Sequence, residues 1–443
     1  MTLGRRLAEH PANQGGEQGR RGRRPRTRPR RDPRAELRNH LRDSMARDLG
    51  KRLSEADNDP SQLKAKVAEE LDRMILERSH LLDERERADL ARRIIDDVLG
   101  YGPIEWMLND PEVSEIMVSG TERIYVERRG VLQQTMSRFE TDDQIRQVIV
   151  RIAASVGRRI DESSPMVDAR LADGSRVNAV IPPLAVDGPV LTIRKFSADT
   201  LTAEDLVDYG SLTDEAVELL TAAVKGRLNI VVSGGTGSGK TTFLNVLSSF
   251  IPEEDRIVTI EDAVELQLRQ SHVIRLETRT ANVEGRGAIT IRDLVRNSLR
   301  MRPDRVIVGE CRGEEALDML QAMNTGHDGS LGTLHANSPA DAVTRLETMV
   351  LMSGIDLPLA VVREQIGSAL DLIVQLNRLH TGARVVSSIT EVTEVAGDRV
   401  QLNPIYARHY DRVSQADGET PELVATGSTP TFTRKLALHG VHL

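Results

Sequence analysis

Aromatic side chains are scarce in this sequence: one Trp, five Tyr and five Phe among 443 residues. Readers of single strands stack bases on aromatic platforms, so a chain this poor in them argues against that class. Cysteine is scarcer still. The lone Cys311 excludes an internal disulfide and a zinc site built on cysteines, and a reducing compartment is the expectation. No apolar run approaches the ~20 residues of a membrane span. The opening MTLGRRLAEH lacks the apolar stretch of a secretory signal, so the expected location is the cytoplasm.

Positive charge is in deficit overall, with 59 Lys and Arg against 67 Asp and Glu and a net charge of −8. It is also unevenly spread. Residues 1–35 hold eleven Arg and three acidic groups, which is +8 and leaves −16 for the rest. This arm has almost nothing to bury and is expected to be disordered. It suits anionic lipid or nucleic acid, with a solvated tail as the alternative. The acidic body and the few aromatics set nucleic acid aside as a partner.

What is present is concentrated in SGGTGSGKTT, residues 233–242. Gly234, Gly239, Lys240 and Thr241 make G-x-x-x-x-G-K-[ST], with Gly235, Thr236, Gly237, Ser238 and Thr242 completing the stretch. Glycines let the backbone curl until its N–H groups point inward at phosphates. Lys240 adds a cation, and the Thr241 hydroxyl can ligate Mg²⁺. Upstream, LNIVVS reads as a buried strand. Downstream, Phe243, Leu244, Val246, Leu247, Phe250 and Ile251 recur at helical spacing until Pro252. A helix N-terminus then faces the phosphates, where its dipole favours an anion. This is a nucleotide-binding loop.

The rest organises around it. Residues 36–102 carry helical periodicity, broken at EADNDP, and predict a helical bundle. Residues 103–196 predict an α+β domain with a helix at 142–156 and a hairpin about Ala172, Asp173 and Gly174. Residues 197–208 carry no sustained pattern and read as a linker. From 209 to 410 strands alternate with helices, as in a mainly parallel sheet covered on both faces, followed by an extension with a hairpin near Gly397 and Asp398. Residues 411–443 read as a flexible tail.

RVIVGE ends a buried strand in Glu310, where a P-loop enzyme keeps the acid that orients water. The usual preceding Asp is missing, because Gly309 stands there. VTIEDAVE ends another strand in Glu261 and Asp262, with Glu265 following, at the crevice where such sheets bind ligands; a dipole-favoured helix start is the alternative. His327 and His335 lie eight residues apart across glycines. That spacing suits a phosphate-sensing loop or a subunit contact, or ordinary polar histidines, and not zinc. Arg292, Arg296 and Arg300 form a stripe that reads as a solvated face rather than a site. Cys311 reads as a space filler.

These motifs in order, from SGGTGSGKTT through VTIEDAVELQL and LRMRPDRVIVGECRGEEALDMLQAMNTGHDGSLGTLHANS, resemble the secretion ATPases of the type II/type IV superfamily. Within it the chain is most similar to the CpaF-type motor of Tad (Flp) pili, over roughly residues 37–410, including DESSPMVDARLADGSRVNAVIPPL. The resemblance implies a RecA-like P-loop domain preceded by a PAS-like α+β domain, in an α/β chain. It implies ATP and Mg²⁺, and a homohexamer on the inner face of the cytoplasmic membrane, working with inner-membrane pilus platform proteins. It makes residues 234–242 the Walker A loop with Lys240 among the catalytic groups, Glu261, Asp262 and Glu265 the aspartate box, and Glu310 the catalytic glutamate. His327 and His335 become the histidine box, and Arg176 and Arg194 match arginines that contact nucleotide phosphates. The expected function is ATP hydrolysis driving pilus assembly, with retraction as a second direction. A type IV secretion ATPase, a RecA-like nucleic-acid motor and a nucleotide-gated scaffold are the rivals.

Overall fold

The computed structural model describes residues 73, 83–98, 100–128, 130–196, 201–279, 281, 286–409 and 421–443. The arginine-rich arm and most of the expected helical bundle lie outside them. The chain divides into two compact units, one of residues 1–110 with 137–148, the other of 111–136 with 149–443. This cuts across the expected boundary at 102, because residues 137–148 group with the chain's beginning.

In the first unit, helix α1 (Glu84–Val98) starts on a reciprocal cap. The Glu86 N–H donates to Asp83 Oδ1 at 2.8 Å, and the Asp83 N–H to Glu86 Oε2 at 3.2 Å. Ala91 and Ile94 are its buried residues. A 3₁₀ turn (Gly102–Ile104) leads into the short α2 (Glu105–Asn109).

The second unit contains two sheets. The smaller has six strands in the order β3-β2-β1-β6-β5-β4, all neighbours antiparallel. They are β1 (Val113–Ser119), β2 (Arg123–Arg128), β3 (Val131–Gln134), β4 (Met166–Arg170), β5 (Arg176–Val180) and β6 (Val190–Arg194). Alternation puts Ile116, Val126, Val177 and Ile193 on the buried face and leaves Arg176 and Arg194, which pair across β5 and β6, on the other. Helix α3 (Asp142–Ser155) realises the predicted helix, with its residues up to 148 assigned to the first unit and the rest to the second.

The larger sheet runs β15-β14-β13-β12-β7-β11-β10-β8-β9. Its parallel part is β7 (Ile230–Gly234), β8 (Ile257–Glu261), β9 (Val273–Glu277), β10 (Arg305–Cys311), β11 (Leu331–Leu334) and β12 (Leu372–Arg378). An antiparallel extension follows with β13 (Arg384–Ala396), β14 (Arg399–Arg408) and β15 (Leu423–Ala425), turning at Gly397 and Asp398 as predicted. Successive residues of one strand feed two cores. Ile230 and Val232 pack with α4 (Ala203–Asp208), α5 (Asp214–Lys225) and α6 (Lys240–Ser248). Val231 packs with α7 (Ile291–Ser298), α8 (Glu315–Asn324), α9 (Pro339–Met352) and α10 (Leu359–Ala369). This is the expected α/β class, with a RecA-like P-loop sheet covered on both faces.

Three expectations are corrected. The linker contains α4, started by a capping box in which Thr202 and Asp205 satisfy each other's backbone N–H. The tail, described from residue 421, adds β15 and α11 (Thr433–Leu438). Phe432 and Leu436 are buried, and Lys435 reaches Asp371 at 2.8 Å and Asp328 at 3.1 Å. The arginine stripe is not simply solvated, since Arg292 pairs with Asp318 at 2.8 Å and Glu314 at 2.6 Å.

Candidate nucleotide site

The phosphate loop follows β7 at the C-terminal edge of the parallel strands, and its shape depends on glycine. A Cβ on Gly234 would lie 2.5 Å from Ser238 Oγ and 2.6 Å from the Leu376 carbonyl. Gly237 and Gly239 have φ of 70° and 93°, the left-handed region that other residues resist. Gly235 has open space on its Cβ side and Thr236 is exposed, while Ser238 Oγ donates to the Gly235 carbonyl at 2.9 Å. Gly239 caps α6 without a side chain, so the first N–H groups of the helix are not taken by a cap. Thr241 and Thr242, half-buried, open that helix.

Lys240 is buried and turned inward. Its Nζ donates to the carbonyls of Gly234 at 3.0 Å and Gly235 at 2.9 Å, and lies 3.4 Å from His335 Nδ1. An ammonium has no acceptor, so His335 Nδ1 must accept and the ring proton sits on Nε2. That nitrogen lies 2.7 Å from Glu310 Oε1. Burial, followed by the Lys240 charge, lowers the His335 pKa, which agrees with a neutral ring.

Glu310, on β10, is held on its other oxygen by Arg312 Nη2 at 2.6 Å, and Arg312 Nη1 is 3.3 Å from Asp262. Burial works to raise the Glu310 carboxyl, but the hydrogen bond and charge of Arg312, with the Lys240 charge beyond, act against it, and its pKa lies below the usual value. Glu261, at the end of β8, is 3% exposed. Its Oε2 accepts the N–H groups of Glu265 at 2.7 Å and Leu266 at 2.9 Å, while Oε1 is buried with no partner. Burial raises its pKa. A Cβ on Gly309 would sit 2.7 Å from Glu261 Cγ. The missing aspartate is thus explained by space: Glu261 crosses from the neighbouring strand over the position where that side chain would begin.

From the small sheet, Arg176 Nη1 reaches Glu265 Oε1 at 2.9 Å, and Arg194 lies 2.9 Å from Glu115 and 3.9 Å from Glu265. Both arginines therefore stand beside the acidic turn after β8. The structure brings together the loop, Lys240, Glu261, Glu310 and His335. It does not bring in His327, which stands before the N-terminal end of β11 with Nδ1 3.3 Å from the Ala322 carbonyl. His335 follows the C-terminal end of the same strand, and four residues of strand between them span about 13 Å.

Three arginines escaped the sequence reading. Arg384 Nε donates to the Gly237 carbonyl at 3.1 Å, bracing the loop from outside. Arg378, its cross-strand partner, gives a hydrogen bond of 2.9 Å to the Gly130 carbonyl of the small sheet. Arg170 pairs with Glu277 at 2.9 Å and also donates to the Val264 carbonyl. The signal for the first two was the pairing of β12 with β7, which sets Leu376 opposite Gly234.

Residues 97–410 match the family described as Type II/IV secretion system protein. A putative conjugal transfer protein of Mycobacterium tuberculosis is 35% identical over 338 residues, covering 75% of this chain and 95% of that protein. Conjugal transfer protein TrbB of Rhizobium radiobacter is 33% identical over 315 residues, 70% of this chain and 91% of its own. Among solved structures, the VirB11 ATPase of the Brucella suis type IV secretion system, in complex with sulphate, aligns at 29% identity. That alignment covers 65% of this chain and 95% of that one, with a TM-score of 0.36. Because the match runs across the phosphate loop and both carboxylate-bearing strands, the chain belongs to the type II/IV secretion system protein family.

Proposed function

We propose that this chain is an Mg²⁺-dependent ATPase, converting hydrolysis of ATP to ADP and phosphate into mechanical work within a homohexameric ring. The observation that carries the reading is the chain of contacts from Lys240 through His335 to Glu310 beside a preformed phosphate loop. Entering phosphates would draw Lys240 from its own loop carbonyls, and N–H groups of the loop and α6 would complete the cradle. Glu310 would orient the attacking water and take its proton. The orphaned Oε1 of Glu261 is what a divalent cation or its bound water would satisfy. Thr241 and Glu261 would then hold Mg²⁺, which supplies neutralisation of phosphate charge. Arg176 would meet phosphates on release from Glu265, and Arg194 on release from Glu115.

The machine served is read as the Tad (Flp) pilus, with the ring peripheral to the inner face of the cytoplasmic membrane, docked on inner-membrane platform proteins. Among the described residues no helix is long and apolar enough to cross a membrane. The names of the two conjugal transfer relatives favour a second reading, transport of DNA–protein substrates by a type IV secretion system. Steady-state hydrolysis by wild type, Lys240→Ala and Glu310→Gln, with mass measured with and without Mg·ATP, tests the core. Turnover by a hexameric wild type alone supports it, and wild-type rates in Glu310→Gln overturn it. Pilus loss against loss of conjugative transfer in a deletion strain separates the two machines.

A further inference from the structure

We propose that Arg312 is a positioning residue with two alternative partners, Glu310 and Asp262, and that its transfer from the first to the second frees Glu310 to hold water. The inference rests on the ATPase reading above. Glu310 Oε2 accepts from Arg312 at 2.6 Å, while Oε1 is buried without a hydrogen bond, 2.7 Å from His335 Nε2. A carboxylate so enclosed has no free face for a nucleophile.

The alternative hold is already within reach. Arg312 Nη1 lies 3.3 Å from Asp262 Oδ2, so a small rotation of the guanidinium exchanges one carboxylate for another and keeps Arg312 itself paired. The backbone beneath is fixed, because the N–H groups of Arg312 and Gly313 donate to Glu315 Oε1 at 2.6 Å and 2.9 Å. The side chain itself is 57% exposed and has room to turn. Its freedom is therefore confined to the choice between two acids.

The small sheet governs where the second acid stands. Asp262 opens the turn whose Val264 carbonyl and Glu265 carboxylate are gripped by Arg170 and Arg176 of β4 and β5. Movement of the small sheet would drag this turn, and Asp262 with it, toward or away from Arg312. Sheet position is thereby coupled to whether Glu310 is engaged or released.

The test compares kcat and KM for wild type, Asp262→Asn, Arg312→Ala and the double variant, with thermal melts as folding controls and Arg312→Lys as the conservative variant. Asp262→Asn, with Arg312 left on Glu310, should lower kcat about tenfold with little change in KM. Adding Arg312→Ala should erase that loss and bring kcat to the level of Arg312→Ala alone. Arg312→Ala should also move the carboxylate inflection of kcat/KM, that of Glu310 as distinct from His335, upward, and Arg312→Lys should restore its position. Equal fractional losses from Asp262→Asn with and without Arg312, or an unmoved carboxylate inflection, would overturn the switch while leaving the ATPase reading intact. A folded wild type that never hydrolyses ATP would instead sink the reading beneath it.

Discussion

Glu261 and Gly309 occupy one another's space: a Cβ on Gly309 would lie 2.7 Å from Glu261 Cγ and 3.5 Å from its Oε2. A side chain at 309 would push Glu261 off the Glu265 and Leu266 N–H groups that fix it. Gly309→Ala should reduce kcat about 100-fold, the scale of a ~1 Å misplacement, with thermal stability nearly kept. Gly309→Asp, which rebuilds the commoner aspartate, should fail as well. A fully active Gly309→Ala would show that Glu261 has no positional role.

Arg384 hydrogen-bonds the phosphate loop at the Gly237 carbonyl, with its Cδ standing 3.3 Å from where a Cβ on Gly239 would be. Losing that charge-assisted hydrogen bond, worth about 1.5–3 kcal/mol at most, should weaken ATP binding by roughly tenfold in Arg384→Ala. Equilibrium titration with a fluorescent ATP analogue reads it directly. Unchanged affinity would mean that the loop keeps its shape unaided.

The neutral state of His335 sets a pH signature. Its pKa is lowered from 6.5, by burial first and the Lys240 charge second. Protonation of Nδ1 would break acceptance from Lys240, so loss of function must come as pH falls. Consequently the His335 inflection in kcat/KM should lie below that of an unshifted imidazole. An inflection at or above the ordinary value, tracked to His335 by its ring NMR signals, would refute the assigned tautomer.

Lys435 neutralises Asp371, a carboxyl whose pKa burial raises even against the Lys435 charge. Lys435→Met should cost about 1–3 kcal/mol in denaturant unfolding, because Asp371 is left in a poorly solvated position. Lys435→Met with Asp371→Asn should recover part of it. Equal stability in all three would make α11 a mere appendage.

Local signals were legible. The phosphate loop, its strand and its helix sit in one continuous stretch, and Glu310 and Glu261 end hydrophobic runs that read as strands. What stayed hidden was set by strand order. Arg378 and Arg384 carry no motif and matter only because β12 lies beside β7. His327 and His335 read as one glycine-rich loop, but LGTL between them is buried as β11, which sends them to opposite edges of the sheet. The tail was missed because Phe432 and Leu436 are too few to show a period. Their burial comes from the core beside α5, where Leu436 Cδ2 occupies the place a Cβ on Gly226 would take.

The placement of β7 between β11 and β12 also bears on biosynthesis. Its second flank is not finished until Arg378, about 140 residues after Gly234. At 5–20 residues per second, the ribosome delivers that strand roughly 7–28 s after the loop. Until then Ile230, Val231 and Val232 lack a neighbour on one side, and the Leu376 carbonyl that closes over Gly234 does not yet exist. The nascent protein therefore emerges with its nucleotide loop unclosed and a stretch of apolar strand awaiting its partner.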